Sequence, residues 1–510
     1  MAYAVGIDLG TTNSVISVFR RGVVETLLID GRPTLPSVVS FRNDGSMLVG
    51  QSAKAKLLID PENSVASAKR FMGDRSQIYR VGGKTLTPLD IGSMILKRLV
   101  ECAEKELGQP IRDVVITVPA YFTEAQKEDT KRAGEKAGLN VLKLIPEPTA
   151  AAIAYGFDKG KDQTLMVYDL GGGTFDVSIL TVQQNEFKVK AVGGDSCLGG
   201  DDFDEAIMFW ASSQFQAKTG IDLLNNSSRK GKIARQRLKE AAEVAKIELS
   251  QAETALIEIS DCLGHPLELE LSLSQYNKLI EPLLQKTIQC MRDALRDAGM
   301  SAGDIDRVIL VGGSTRNRAV REIVSQEIKD PFTADRVDEV VAHGAAIVAA
   351  SIVDNLPVEV TDVTPHTYGV DMLQENNGEE ELVFVAVIPR QTPYPCQYGR
   401  FATTSRPWQE RVRVSVFRGE HPDPQKNTQL GQLILPITPQ SEEVPLGVIF
   451  NLDADGILKF TMVELPRSEV ITPILEYAAE NGGALHITLV NQLINTGRIN
   501  AKTVTIDTNI

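Results

Sequence analysis

Two stretches of this chain repeat one pattern, and the repetition limits the folds open to it. Residues 7–19 read I-D-L-G-T-T-N-S-V-I-S-V-F, and residues 168–180 read Y-D-L-G-G-G-T-F-D-V-S-I-L. Setting Asp8 on Asp169 makes Leu and Gly coincide and brings Ile16-Ser17-Val18 onto Val177-Ser178-Ile179. An apolar run, a glycine cluster and an alternating run read as strand, turn and strand. Glycine lets the backbone approach a ligand closely, and successive N–H groups in such a turn form a nest for phosphate oxygens. The Asp ending each incoming strand stands where a carboxylate can hold hydrated Mg²⁺. A single copy would be an ordinary hairpin. Two copies in register, each with Asp before the turn and Thr in or just after it, predict two similar lobes gripping one nucleotide.

Other segments add parts to that site. Val114 to Val118 is a buried-strand run stopped by Pro119, and Thr123-Glu124-Ala125-Gln126 fits a helix capping box. Glu147 sits between Pro146 and Pro148, which fix its backbone. Taken alone it is an acid at the start of an Ala-rich helix, favourable in itself. Residues 193–195 and 198–203 make a second Gly/Asp-rich loop that includes Gly199 and Gly200. Glu243, Lys246 and Ser250 share one face of a strongly helical stretch. A solvated charged face is the plainer reading of those three, though they also suit an adenosine clamp, with a carboxylate to the ribose and an aliphatic stem along the base. Asp306 to Ser314 is a strand running into Gly312, Gly313 and Ser314, where the backbone can lie against adenine and Arg316 can stack on it. Asp338 begins a further helix.

A chain of 510 residues predicts two to four domains. Its net charge of −14 argues against nucleic acid or an anionic membrane as main partner. Five scattered cysteines (102, 197, 262, 290, 396) make neither a disulfide framework nor a zinc pattern, which points to a reducing cytoplasm. The chain has no secretory leader pattern and no apolar run of about 18 residues.

Gly6 to Ser14, Ile145 to Ala152, Asp169 to Ile179 and Val311 to Arg316 resemble, in order and spacing, the DnaK-type seventy-kilodalton heat-shock chaperones. The resemblance covers roughly residues 3–465 and is tightest over the first two thirds. It implies an α/β actin-like two-lobed ATPase domain (1–354), a linker (355–362), an all-β sandwich peptide-binding domain (363–466) and a short tail (467–510) in place of most of the helical lid. It implies ATP and ADP as ligands, with Mg²⁺ and K⁺ as candidate ions. Asp8 and Asp169 would hold the metal. Lys69, which alone would be merely a solvated lysine, becomes the group reaching the γ-phosphate. Glu147 would orient metal-bound water, and Thr174 and Asp176 would place the attacking water. Gly10, Thr11, Thr12, Gly171, Gly172, Gly173, Gly199 and Gly200 would surround the phosphates. Glu243, Lys246, Ser250, Gly312, Gly313, Ser314, Arg316 and Asp338 would surround the adenosine.

The family also implies an unfolded or extended polypeptide, a J-domain co-chaperone and a nucleotide-exchange factor as partners. Two of its arginines, which carry nucleotide state and J-domain contact, are Lys127 and Lys143 here; lysine keeps the charge but loses the planar fork. The segment Gly73 to Leu86 is shorter than usual. Glu359 and Thr361 interrupt the family's leucine-rich linker, predicting weaker coupling, although Val358 and Val360 still alternate as an edge strand would. Val370, Leu373, Phe401, Thr404, Val412 and Val414 fall where the family's peptide pocket lies; alternating apolar strand residues are otherwise core. Beyond Leu465 the sequence predicts a short helix near Pro473–Glu480, then an apolar alternation at Leu485, Ile487 and Leu489. A filament-forming actin relative is opposed by the β-rich last third, and a sugar kinase by the lack of a sugar-site motif. A dedicated docking module for one partner stays open.

Overall fold

A computed structural model describes residues 3–157, 161–333, 336–376, 379–465, 471–499 and 501–505. The chain divides into two compact units, Met1–Val360 and Thr361–Ile510.

The repeat seen in the sequence is a repeat in space. In the first lobe of the first unit the strands run in the order Asn140–Pro146, Asp113–Val118, Val5–Asp8, Asn13–Arg20, Val23–Thr26. The first three are mutually parallel and the last two turn back antiparallel. The second lobe has the order Phe332–Thr333, Arg307–Val311, Gln163–Leu170, Phe175–Gln183, Glu186–Asp195, with the same pattern of directions. Asp8 and Asp169 thus end equivalent strands. The central strands of each sheet are buried on both faces, as their near-continuous apolar runs require, and each lobe has its own core, one around Ile7, Ile16 and Ile116, the other around Tyr168, Phe175 and Val177. Two Ala-rich helices, Glu147–Gly156 and Val340–Val353, pack against each other on their small side chains. Near the end of this unit the Glu359 N–H donates to the Asn185 carbonyl at 3.1 Å, beside the hairpin that follows Gln183.

The second unit is a sandwich of two four-stranded sheets. One is ordered Glu379–Ile388, Tyr368–Asn376, Arg411–Arg418, Thr428–Pro436. The other is ordered Cys396–Thr403, Pro445–Leu452, Leu458–Glu464, Ala501–Thr505. Their inner faces supply one core, with Val370, Val414, Leu433, Val448, Phe450 and Met462. The alternate residues Ile449 and Val463 point the other way, into a separate cluster with Ile474, Leu485, Val490 and Leu493.

That second cluster corrects the sequence reading of the tail. Thr472–Glu480 is helical, near the stretch the sequence marks, but the apolar alternation continues as a helix, Ile487–Asn495, and not as a strand. Beside that alternation the stretch carries a helical spacing: Val490 and Leu493 are three apart and both buried. The His486 side chain accepts from the Leu489 N–H and starts the helix. After the helices, the chain returns as strand Ala501–Thr505, antiparallel to Leu458–Glu464. The two helices are therefore an insertion between the last two strands of a sheet.

Among the described residues no helix is long and apolar enough to cross a membrane.

Candidate nucleotide site

The two repeated turns meet across a cavity of about 360 Å³. Gly10, Thr11 and Thr12 line it from the first lobe and Gly171, Gly172 and Thr174 from the second. They abut closely: a Cβ on Gly172 would lie 2.0 Å from the Thr12 hydroxyl, so a larger residue there would have to displace Thr12. The second turn is closed by the Gly171 N–H donating to the Thr174 carbonyl at 3.1 Å. The Gly/Asp loop is laid over it, with the Gly200 and Asp201 N–H groups donating to the Gly171 and Gly172 carbonyls at 2.9 and 2.7 Å. The Ser314 hydroxyl donates to the same Gly171 carbonyl at 2.9 Å. Gly173 and Gly199 stand behind the wall, packed on each other, a Cβ on Gly199 falling 2.5 Å from the Gly173 nitrogen.

Acids gather on the floor. Asp8, Glu147 and Asp169 line the cavity, and Asp176 lies directly across the hairpin from Asp169, fully buried just behind it. Burial pushes the Asp8 carboxyl up to about 7, with the neighbouring Glu147 adding to it. Burial, then Glu147, likewise pushes Asp176 up to about 8 and Asp169 well above the carboxylate range. The Lys69 ammonium donates to Glu147. Burial opposes its charge, but Glu147 and Asp8 outweigh that and hold its pKa above the usual lysine value. Thr117 donates to Asp8 at 3.0 Å and the Tyr121 N–H to Asp176 at 2.9 Å, while the second Asp176 oxygen is buried with no hydrogen-bond partner among the described residues.

Burial favours the protonated forms of Asp8, Asp169 and Asp176, and a cation placed among them would favour the ionised forms. No three of the described His, Cys, Asp or Glu side chains converge closely enough to ligate one metal directly. Carboxylate oxygens such as those of Asp8 and Asp169 are ligands that a hard cation such as Mg²⁺ takes.

The other end of the cavity is lined by Glu243, Lys246 and Ser250 on the helix Arg229–Glu248 and just beyond it, facing Gly312, Gly313, Arg316 and Asp338. Arg316 donates to Asp338 at 2.6 Å, which holds the guanidinium at the rim. Lys246 is fixed by Asp204 at 2.7 Å and by the Gly200 carbonyl at 3.0 Å. Burial raises Asp204 to about 6 against the pull of Lys246.

Several lining residues escape the sequence reading. Asp204 lies one residue past the recognised Gly/Asp run, so its signal was at hand. Lys54 has none: it stands on the short helix Gln51–Leu57 of the other lobe and reaches Glu243 at 3.2 Å.

The six residues assigned to a peptide pocket do not share a surface. Val370, Val412 and Val414 belong to the sandwich core. Leu373 is three residues from Val370 along a strand, hence on the opposite face, and is 50% exposed. Phe401 packs under the inserted helices. Thr404 is buried and accepts from the Val444 N–H at 2.9 Å.

The family model described as Hsp70 protein matches residues 4–474. The protein named "Chaperone protein DnaK" from one strain of Thermus thermophilus is 44% identical over 499 residues, 91% of this chain and 79% of that protein. Its namesake from a second strain of the same organism is 43% identical over the same shares. With this much of the chain matched, and a two-lobed cavity of this construction inside the match, the chain belongs to the Hsp70 family, whose members are ATP-hydrolysing, ATP-dependent chaperones.

Proposed function

We propose that MgATP binds between the repeated turns and is hydrolysed there, and that hydrolysis changes the affinity of the sandwich unit for extended polypeptide. The observation carrying this reading is the buried Lys69–Glu147 pair beside Asp8, Asp169 and Thr174, at the point where the two turns abut. The backbone N–H groups of residues 10–12 and 171–174 hold the phosphates. Glu243, Lys246, Ser250 and the glycines at 312 and 313 hold the adenosine, with Arg316 over the base. Asp8 and Asp169 hold hydrated Mg²⁺, which neutralises phosphate charge, with K⁺ as a further candidate ion. Lys69 steadies the γ-phosphate and Glu147 orients water, while Thr174 and Asp176 position the attacking one. This is catalysis by positioning and charge stabilisation.

On the polypeptide side, we place the binding surface on the sandwich and assign the working partners as an extended apolar segment, a J-domain co-chaperone and an exchange factor, in a bacterial-type cytoplasm. The helices Thr472–Glu480 and Ile487–Asn495 bury their apolar faces against Ile449 and Val463, so in this reading they do not act as a lid, and bound peptide leaves quickly. Labelled apolar peptide should dissociate within seconds, and faster with ATP than with ADP. No difference between the two nucleotides would overturn the coupling.

The acids on the cavity floor give a pH test. Their pKa values are raised in the nucleotide-free folded form, so their contribution to stability is complete below about pH 4 and is lost as pH rises towards 8. A bound Mg²⁺–nucleotide favours the ionised forms. The rise in melting temperature on adding MgADP should therefore be larger at pH 8 than at pH 6; an equal or smaller rise would contradict this account of the site.

A further inference from the structure

The two lobes of the first unit also face each other across a second cavity, of about 580 Å³. One wall is the helix Arg229–Glu248, where Lys232, Arg235 and Lys239 lie three and seven residues apart and share a face. Glu205 adds to that wall. Glu62 and Arg80 line it from the other lobe. Four cations against two carboxylates leave a charge of +2 around this cavity, in a chain whose net charge is −14. Two of the cations are already engaged. Lys232 bridges to Glu62 at 2.6 Å, and Lys239 pairs with Asp201 at 3.0 Å. Arg80 and Arg235 are both exposed, and neither has an acidic partner among the described residues.

Unpaired arginines brought to one cavity from opposite lobes repel each other, and an anion between them removes the repulsion. Guanidinium is the group whose planar fork matches phosphate oxygens two at a time. We propose that this cavity binds a small polyphosphate anion, held by Arg80 from the first lobe and Arg235 from the second, with Lys232 and Lys239 adding charge. Gln236 and Lys239 line both this cavity and the nucleotide cavity. A bound anion therefore ties together walls that must part for a nucleotide to leave, and it slows nucleotide release. This last step rests on the nucleotide reading of the first cavity.

The test uses the full chain loaded with a fluorescent ADP and chased with unlabelled ADP, in excess Mg²⁺ and at constant ionic strength. Inorganic tripolyphosphate should slow release by about fivefold relative to chloride, the lower end of ordinary coupling between sites. The Arg80→Ala, Arg235→Ala double variant should release ADP at the unmodified rate and lose the slowing. No slowing, equal slowing in the variant, or faster release through competition at the nucleotide site would each overturn the proposal. Calorimetric titration of tripolyphosphate into the same two proteins reads the site without ADP. Heat that the double variant loses supports it, and heat that the variant keeps overturns it, even if ADP itself fails to bind and the nucleotide reading falls.

Discussion

Lys69→Ala should bind ATP and fail to hydrolyse it, with kcat lower by about 10²–10³-fold, the effect typical of deleting one preorganised charge-stabilising group. The physical basis is the position of the ammonium. It is almost fully buried, donates to Glu147 and lies within reach of the charges of Asp8 and Asp176. A charge held there cannot be replaced by water at the moment of reaction. The adenosine end of the cavity is built from other elements, so affinity should change little: Lys246 is fixed by Asp204 and Gly200, and Glu243 by Lys54. A single-turnover rate and an equilibrium titration on the same preparation separate the two effects. Unchanged hydrolysis would remove Lys69 from the mechanism, whereas lost affinity with normal turnover of bound ATP would make it only a binding residue. The substitution also leaves Glu147 among other buried acids without its cation. Losing one partner of a buried pair costs about 3–5 kcal/mol when the remaining group stays charged. The nucleotide-free variant should therefore melt earlier than the parent.

How much of this site could be read before the fold was known depended on whether the signal was local. The turns at Asp8 and Asp169 were legible because each is a complete strand–turn–strand within a dozen residues. Their repetition then foretold the matched strand order of the two lobes. Glu243, Lys246 and Ser250 shared a helix face in any fold, so only their facing direction was missing. Lys54 is different in kind. It meets Glu243 only because two lobes close, and no spacing along a separation of 189 positions records that. The peptide-pocket residues were read from alignment, which fixes a position along a strand and not the face a side chain takes. A strand turns over at every step, so Val370 and Leu373 lie on opposite faces of theirs, one in the core and one exposed. The tail shows the opposite limit. Leu485, Ile487 and Leu489 read as period two, while Val490 and Leu493 just beyond them read as period 3.6, and tertiary packing decided between the two.

Leu485→Ala should destabilise the sandwich unit by about 2–5 kcal/mol, the usual range for a buried leucine cut back to alanine. Leu485 is 4% exposed and lies over the outer face of the second sheet. The sheet is hollowed to receive it: a Cβ on Gly399 would come 3.0 Å from the Leu485 Cβ, and one on Gly447 would come 3.0 Å from its Cδ2. The backbone is pinned at the same place, the Leu485 N–H donating to the Gly399 carbonyl at 3.0 Å and the Phe401 N–H to the Gly483 carbonyl at 2.8 Å. Glycine-lined hollows in a sheet cannot refill themselves when the leucine is shortened, so the cost belongs at the upper part of the range. For a unit of this size it amounts to a fall in melting temperature of roughly 8–20 °C. The expected pattern is specific. The melting transition of the sandwich unit moves, the ATP hydrolysis rate without peptide does not, and Leu475→Ala, on the exposed side of the first inserted helix, changes neither. If Leu485→Ala left the sandwich transition in place, the inserted helices would be an appendage and not part of the domain. The reading in which they are committed to this face, and therefore leave the peptide surface uncovered, would then have lost its support.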